Sequence, residues 1–427
     1  MNQDYIIRRA QSSKDSEKLR ELFAEVFPPP HQVGVFAEII FNCFPGMKGQ
    51  YWFIAEDRKS SQIVSAFALI PWVWEMEGIS LQIAEMGIVG TRQPYRNQGL
   101  MRILHKEFVQ TFEQENFDLA IIQGIPGFYH KMGFYYSIPM TNHINIPLHL
   151  IPDETQKNPY GFRMAGLEDI PFFMAEDETY RNAFSLSSVR DEKVWKYMLT
   201  DSLKTECASE FWIMEHSGKK EKYFFRIPFE GFGRGLIVSE ISEHISHAAL
   251  ISFLVFCKKK AMERAKPCIR LDVHNESRAG RFAIAMGAEK GKPYAWQISI
   301  PDRIRLLKKM TPILEKRIKN SCFFHFSGTL RLDFFQTGID LNWKQGSLES
   351  VTPAGVEECA NTFCINPDLF PALCLGHRTW KELQYTRPDI FPVSQYLRPE
   401  ICTAADISGL LTDTLFPATK SWIYGQY

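Results

Sequence analysis

Val89-Gly90-Thr91-Arg92-Gln93-Pro94-Tyr95-Arg96-Asn97-Gln98-Gly99-Leu100-Met101 joins a strand-like run to a helix-like one. Upstream, Ile83 to Gly90 is apolar or glycine except for Glu85; downstream, Leu100, Met101, Leu104, Phe108 and Phe112 recur at helical spacing. Between them, Arg96-Asn97-Gln98-Gly99 makes a turn that delivers a helix N-terminus. There the first unpaired backbone N–H groups and the positive end of the helix dipole face any anion lying across the loop. Gly99 lets the backbone come close to that anion, and Arg96 adds positive charge. The stretch predicts a site for a pyrophosphate.

Bulk properties narrow the class. A chain of 427 residues exceeds one ordinary core and predicts two or three domains. Lysine plus arginine equals aspartate plus glutamate at 49 each, so no net charge draws the protein to nucleic acid or an anionic membrane. Nine scattered cysteines without a C-x-x-C pair read as reduced thiols, with neither a disulfide frame nor a metal site. Met1-Asn2-Gln3-Asp4 opens no basic-then-apolar leader, and the longest apolar run, Ala248 to Cys257, is about half a membrane span. The expectation is a cytoplasmic enzyme with no membrane, nucleic-acid or metal partner.

Around the loop, a strand at Tyr5–Arg9, helices at 13–27 and 35–44, and strands at 51–56 and 63–76 precede the strand carrying Glu85. After the amphipathic helix come a strand, Asp118 to Gly124, and a short helix with Phe128-Tyr129-His130-Lys131-Met132-Gly133-Phe134. Pro147 to Pro159 reads as a linker. The pattern then restarts: a helix after Asp169, a strand at 235–240, a long helix at 246–266, a strand at Cys268–Val273, and Arg281 to Gly287 echoing Tyr129 to Gly133. The loop of this second copy carries Glu240 and Glu243, like charges that oppose a pyrophosphate. From Pro301 onward, basic residues between Asp302 and Arg317 read as a solvated helix face. Strands follow at 323–326, 329–335 and 338–343, with helices at 353–363 and 367–375. The aromatic ending, with Trp422, Tyr424 and Tyr427, predicts a docked terminus.

Strand, anion loop, helix, strand, tyrosine-bearing helix and Met-Gly-Phe together resemble the cofactor half of the GNAT acyl-CoA N-acyltransferases. The whole chain resembles the enhanced intracellular survival type of acetyltransferase, first known from mycobacteria. That resemblance implies a mixed α+β fold: a catalytic GNAT domain over 1–150, a degenerate GNAT-like domain over 151–300, and a domain similar to sterol carrier proteins over 301–427. It further implies acetyl-CoA as co-substrate, a primary amine acceptor (a polyamine-like or aminoglycoside-like molecule, or a lysine side chain) and a homo-oligomer. The competing class is a ligand- or lipid-binding protein on a GNAT scaffold.

Acyl transfer to an amine requires a proton acceptor and a donor for the departing thiolate. Tyr129 matches the family's catalytic tyrosine and is the expected donor. For the base the resemblance offers a C-terminal carboxylate, here that of Tyr427; local chemistry offers Glu85, which on strand alternation shares a face with Gly87 and Val89. Val89 and Thr91 are expected along the pantetheine arm. Arg96, Asn97, Gly99, Leu100 and Met101 are expected around the pyrophosphate. Gln93 stands where the family usually has proline, and Asn97-Gln98 replace a more basic pair. Pro28-Pro29-Pro30-His31 and Trp72-Val73-Trp74 are further candidates for the acceptor side, with a core role the alternative for either tryptophan.

Overall fold

The computed structural model describes residues 4–153, 158–229, 231, 233–357, 359–393 and 407–427. The fold is mixed α+β, and the described residues build four sheets. The first segment contributes β1 (Tyr5–Arg9), α1 (Ser13–Val26), α2 (Val33–Cys43), β2 (Trp52–Asp57), β3 (Ile63–Met76), β4 (Ile79–Thr91), α3 (Leu100–Gln114), β5 (Leu119–Ile122), β6 (Tyr135–Thr141) and β7 (Ile144–Pro147). In α1 the apolar residues Leu19, Leu22 and Phe23 fall on one stripe and are fully buried, which docks the helix on the sheet. The long hairpin of β3 and β4 turns at Glu77-Gly78, both with positive φ, a conformation glycine takes without cost.

The second segment runs β8 (Tyr160–Met164), α4 (Ile170–Ala183), β9 (Leu186–Val189), α5 (Glu192–Leu199), β10 (Ser209–His216), β11 (Lys222–Pro228), β12 (Leu236–Val238), β13 (Glu240–Ile241), α6 (His247–Glu263), β14 (Cys268–Leu271), α7 (Arg278–Ala285), β15 (Glu289–Lys290) and β16 (Tyr294–Ser299). The hydrogen-bonded sheets cross between segments. β16 inserts between β5 and β6, giving the order β1-β2-β3-β4-β5-β16-β6, with β9 beside the far end of β3. In return β7 lies between β14 and β15. Each exchanged strand buries its apolar residues in the other segment's core: Trp296 and Ile298 in the first, Ile144 and Ile146 in the second. Of the expected linker 147–159, Pro147 belongs to β7, and 154–157 lie outside the described residues.

The third segment holds α8 (Arg303–Lys309), α9 (Thr311–Lys319), β17 (Gly328–Asp333), β18 (Gly338–Lys344), β19 (Ser347–Pro353), β20 (Asn361–Ile365), α10 (Phe370–Cys374), α11 (Trp380–Thr386), β21 (Ile390–Pro392) and α12 (Ile407–Leu415). Its sheet has the order β19-β18-β17-β20-β21. Two sequence expectations fail here, and a third holds only in part. Residues 323–326 form a turn, closed by Phe326 N–H on the Phe323 carbonyl at 2.8 Å. The described residues of 353–363 form no helix: 361–365 pair parallel to β17 from Leu330↔Asn361 to Asp333↔Cys364. The basic residues of α8 and α9 are a solvated face only in part: Lys308, Lys316 and Lys319 are exposed, but three others turn inward. Arg305 donates to the Phe117 carbonyl, Lys309 meets buried Asp118 at 2.6 Å, and Arg317 pairs with Glu77, so these three clamp the third segment to the first.

The chain end docks. Ser185 and Trp422 exchange backbone bonds with Lys420 and Leu186 beside β9, and Trp422, Ile423, Tyr424 and Gln426 are all buried. Gln426 Nε2 then donates to the Pro71 carbonyl on β3, which carries the terminus into the first core.

Candidate active site

β4 is paired with β3 along its length but with β5 only from Ile83↔Leu119 to Glu85↔Ile121. Beyond Glu85 the two parallel strands part. Among the described residues no strand takes the β5-facing edge of β4 from Met86 to Thr91, which leaves that edge open to an extended chain as an added strand. The parting coincides with a bulge: Ile88 has φ +50, and the register with β3 slips between Ala68↔Gly87 and Ala66↔Gly90. The bulge corrects the expected alternation. Glu85 and Gly87 share a face, but Ile88 packs toward the α1 and α2 side, and Val89 packs with Leu100 and Tyr129 on the opposite one.

At the end of β4, Thr91 bonds Ser65 hydroxyl to hydroxyl at 2.7 Å, and Arg96 Nε donates to the Thr91 carbonyl at 3.2 Å, which holds the guanidinium over the loop. Asn97 and Gly99 both have positive φ, +62 and +76, and α3 begins at Leu100. Gly99 occupies the N-cap, so no side chain satisfies the first N–H groups of α3. A Cβ at Gly99 would meet nothing within 4 Å, so the loop opens onto free space. Val89, Thr91, Arg96, Asn97, Gly99, Leu100 and Met101 thus gather where the parted strand meets the helix N-terminus. The second segment differs. Ser246 caps α6 by accepting from Ala249 N–H. Glu240 is not a loop charge: it lies in β13, buried, paired with Arg190 at 2.5 Å.

Tyr129 opens the short 3-10 turn Tyr129–Met132, 7% exposed, its ring so close to Gly124 that a Cβ there would lie 2.2 Å from Cδ2. Burial pushes its phenol up to about 12, and its hydroxyl has no hydrogen-bond partner among the described residues. A phenol that stays protonated with a free O–H can donate.

Glu85 is 2% exposed. Trp72 Nε1 donates to Oε2 at 2.7 Å, Gln123 Nε2 to Oε1 at 3.3 Å, and the Tyr427 hydroxyl to both oxygens at 2.8 Å. Burial raises its pKa to about 7, while the Tyr427, Trp72 and Gln123 donors oppose that rise. Around the Tyr427 ring stand Trp72, Phe36 and Phe44, and a buried carboxyl poised near neutrality beside that ring suits proton abstraction from an ammonium or amine. Trp72 and Trp74 are both buried, and Trp72 combines a core position with a bond to Glu85.

Tyr427 thus reaches Glu85, by its hydroxyl; its main-chain oxygen turns instead to Arg226 on β11, 2.8 Å from Nη2. Sequence reasoning missed two groups. Gln123, which also donates to the Tyr427 hydroxyl at 3.1 Å, was visible only as a polar residue closing an apolar strand. Arg226 was visible as a lone charge within Tyr223-Phe224-Phe225-Arg226-Ile227. Pro30 and His31 line no part of this carboxylate site; with Glu206, Phe229, Arg264 and Lys266 they border a separate open cavity of about 590 Å³. Among the described residues no cluster of three or more His, Cys, Asp or Glu could hold a metal ion, and no helix is long and apolar enough to cross a membrane.

Residues 7–137 match the family described as "Acetyltransferase (GNAT) domain". The chain carries an acetyltransferase domain there. No curated protein sequence matches the chain. Among solved structures, it is similar to a GCN5-related N-acetyltransferase from Anabaena variabilis (14% identity, 98% of this chain and 99% of that one, TM-score 0.67). It is similar to a conserved protein of unknown function and probable N-acyltransferase from Enterococcus faecalis (12%, 99% and 99%, 0.68). It is also similar to Eis1 from Mycobacterium abscessus (12%, 99% and 99%, 0.62). At these identities the likeness is one of fold along the whole chain.

Proposed function

We propose that this protein transfers an acetyl group from acetyl-CoA directly to a primary amine, on a small polyamine-like or aminoglycoside-like molecule or a lysine side chain. The carrying observation is the parting of β4 from β5, with the uncapped N-terminus of α3 at one end and Glu85 at the other. The free edge of β4 near Val89 and Thr91 would pair with the pantetheine arm, and the loop from Arg96 to Met101 would take the pyrophosphate. Glu85 accepts the proton from the attacking amine, whose nitrogen bonds to the thioester carbon. As the carbon–sulfur bond breaks, Tyr129 donates its proton to the leaving thiolate.

Of the two candidate bases, Glu85 fits better than a carboxylate at Tyr427. Arg226 beside the Tyr427 main-chain oxygen would hold such a group ionised and weakly basic, whereas burial gives Glu85 a pKa near 7. Segments 151–300 and 301–427 act in the same proposal as a GNAT-like scaffold without CoA and a sterol-carrier-like appendage. The capped α6 supports the first part. The eight described cysteines are all free, which supports a reducing compartment such as the cytoplasm. The protein is taken to assemble as a homo-oligomer. A screen for thiol release from acetyl-CoA across primary amines tests the reading; silence with every amine would remove it.

A further inference from the structure

The second segment reaches the first segment's carboxylate through one arginine. Arg226 is 7% exposed on β11, where it stands among aromatic residues. Its Nε donates to Ser209 Oγ at 2.9 Å, its Cζ lies 5.3 Å from the Phe211 ring centroid, and Nη2 donates to the Tyr427 main-chain oxygen at 2.8 Å. Two residues earlier in the tail, Arg190 Nη1 donates to the Gly425 carbonyl at 3.3 Å. Ser188 Oγ donates to the Tyr424 carbonyl at 2.9 Å. Side chains of the second segment therefore grip the tail by its main-chain oxygens at Tyr424, Gly425 and Tyr427. Beyond these contacts the Tyr427 ring packs against Phe36 and Trp72, with its hydroxyl on Glu85.

We propose that Arg226 is a positioning residue for Glu85: by fixing the main chain of Tyr427 it sets the Tyr427 hydroxyl against the carboxylate and so tunes the protonation of the base. The inference rests on the reading of Glu85 as that base. A buried cation is costly, and here it is held by Ser209, by the ring of Phe211 and by the oxygen it binds, with the charge of Glu240 favouring it and that of Arg190 opposing it. Burial draws the Arg226 guanidinium down to about 10, so it remains charged at neutral pH.

Among the groups in contact with Tyr427 and Arg226, Glu85 is the carboxyl that burial raises to about 7; further along the tail, burial also raises Asp177, the partner of Arg190, to about 6 and Glu176, near Glu240, to about 7. Burial raises the phenols of Tyr427 and Tyr197 on α5, the thiol of Cys207 to about 12, and the thiol of Cys43 on α2. Asp201 and Glu206 are the further carboxylates acting on this set, through Tyr197 and Cys207. Trp72 and Gln123 do not titrate. Because the Tyr427 hydroxyl favours the ionised form of Glu85, its loss moves the Glu85 pKa up.

The test reads that pKa directly, without turnover. In full-length protein carrying 13C-labelled glutamate carboxyls, the Glu85 resonance is the one absent from Glu85→Gln. Tyr427→Phe and Arg226→Gln each move its midpoint upward by about one pH unit, the scale of one lost charge-assisted hydrogen bond. The double variant moves no further than Tyr427→Phe alone, and Arg226→Lys recovers part of the shift. Ser209→Ala, which removes only the hydroxyl orienting Nε, gives a smaller shift of the same sign and stands in should Arg226→Gln not fold. An unmoved midpoint in Arg226→Gln, or in Ser209→Ala as its stand-in, overturns the proposal, as does a shift that adds in full to that of Tyr427→Phe. A wild-type protein that transfers no acetyl group while showing these shifts would remove the acetyltransferase reading and leave the linkage standing.

Discussion

The hydroxyl of Tyr427 lies 2.8 Å from each carboxylate oxygen of Glu85, although 342 positions separate the two residues in the chain. The contact is the meeting point of three segments: β4 of the first supplies the carboxylate, the third supplies the tyrosine, and Arg226 of the second holds the tyrosine's main chain. Several measurable consequences arise from this arrangement.

The burial of Glu85 costs stability at high pH. Its native pKa of about 7 exceeds the ordinary 4.5, so the native state holds a proton that the unfolded state has lost between those values. Stability from this group is fully present below pH about 4.5 and is lost as pH rises through about 7, amounting to about 3 kcal/mol. Glu85→Gln carries no such dependence. Its Tm relative to wild type should therefore rise from pH 5 to about pH 7 and level off above that, as measured by calorimetry; parallel curves would contradict the assignment.

Tyr129→Phe removes one hydroxyl and leaves the ring packed on Gly124. The expected loss is two to three orders of magnitude in kcat, about the contribution of a general acid, with Tm unchanged within a degree or two. With the phenol pushed up to about 12, the wild-type rate should show no alkaline decline from this group up to pH about 9.5. A decline near pH 8 that vanishes in Tyr129→Phe would show instead that the phenol ionises early.

Gly99→Asp places a side chain and a negative charge at the uncapped start of α3, at φ +76. Isothermal titration should show CoA binding to wild type with one site per chain and no binding to the variant. Gly99→Ala, which adds no charge, should cost about 1 kcal/mol of stability from backbone strain and weaken CoA far less than aspartate does. Two equivalent CoA sites on wild type would contradict the contrast between α3 and the Ser246-capped α6.

The third segment is pinned through Lys309 and buried Asp118, whose Oδ2 also accepts from Gln82 N–H at 2.7 Å. Asp118→Ala strands both donors. A loss of about 2 kcal/mol in denaturant stability is expected, together with earlier proteolysis of the third segment. A change below about 0.5 kcal/mol would show that this pair is a surface contact of little weight.

How much of this was legible in the sequence depended on the range of each interaction. β1, α1, the β3–β4 hairpin and the turn ahead of Leu100 are set by local periodicity, and there the expected and observed bounds agree closely. The bulge at Ile88 leaves no sequence mark, so alternation put Val89 on the wrong face. The exchange of β7 and β16 is a pairing between strands more than a hundred residues from their partners, and no pattern within either strand reports it. The basic residues of α8 and α9 show the same limit: Lys309 and Arg317 have the composition of a wet surface but face Asp118 and Glu77. In the site itself, Glu85 and Tyr129 were legible beside their motif, and Tyr427 as an aromatic end. Gln123 and Arg226 needed coordinates, because a polar residue in an apolar strand reports burial without naming its partner.

The pH dependence of kcat at saturating acetyl-CoA and amine, compared between wild type and Glu85→Gln, tests the account most directly. Wild type should rise through an inflection near pH 7 as the carboxyl ionises, and the variant should lie about two to four orders of magnitude lower without that inflection. A Glu85→Gln protein that keeps wild-type kcat, or that keeps the inflection, would contradict it.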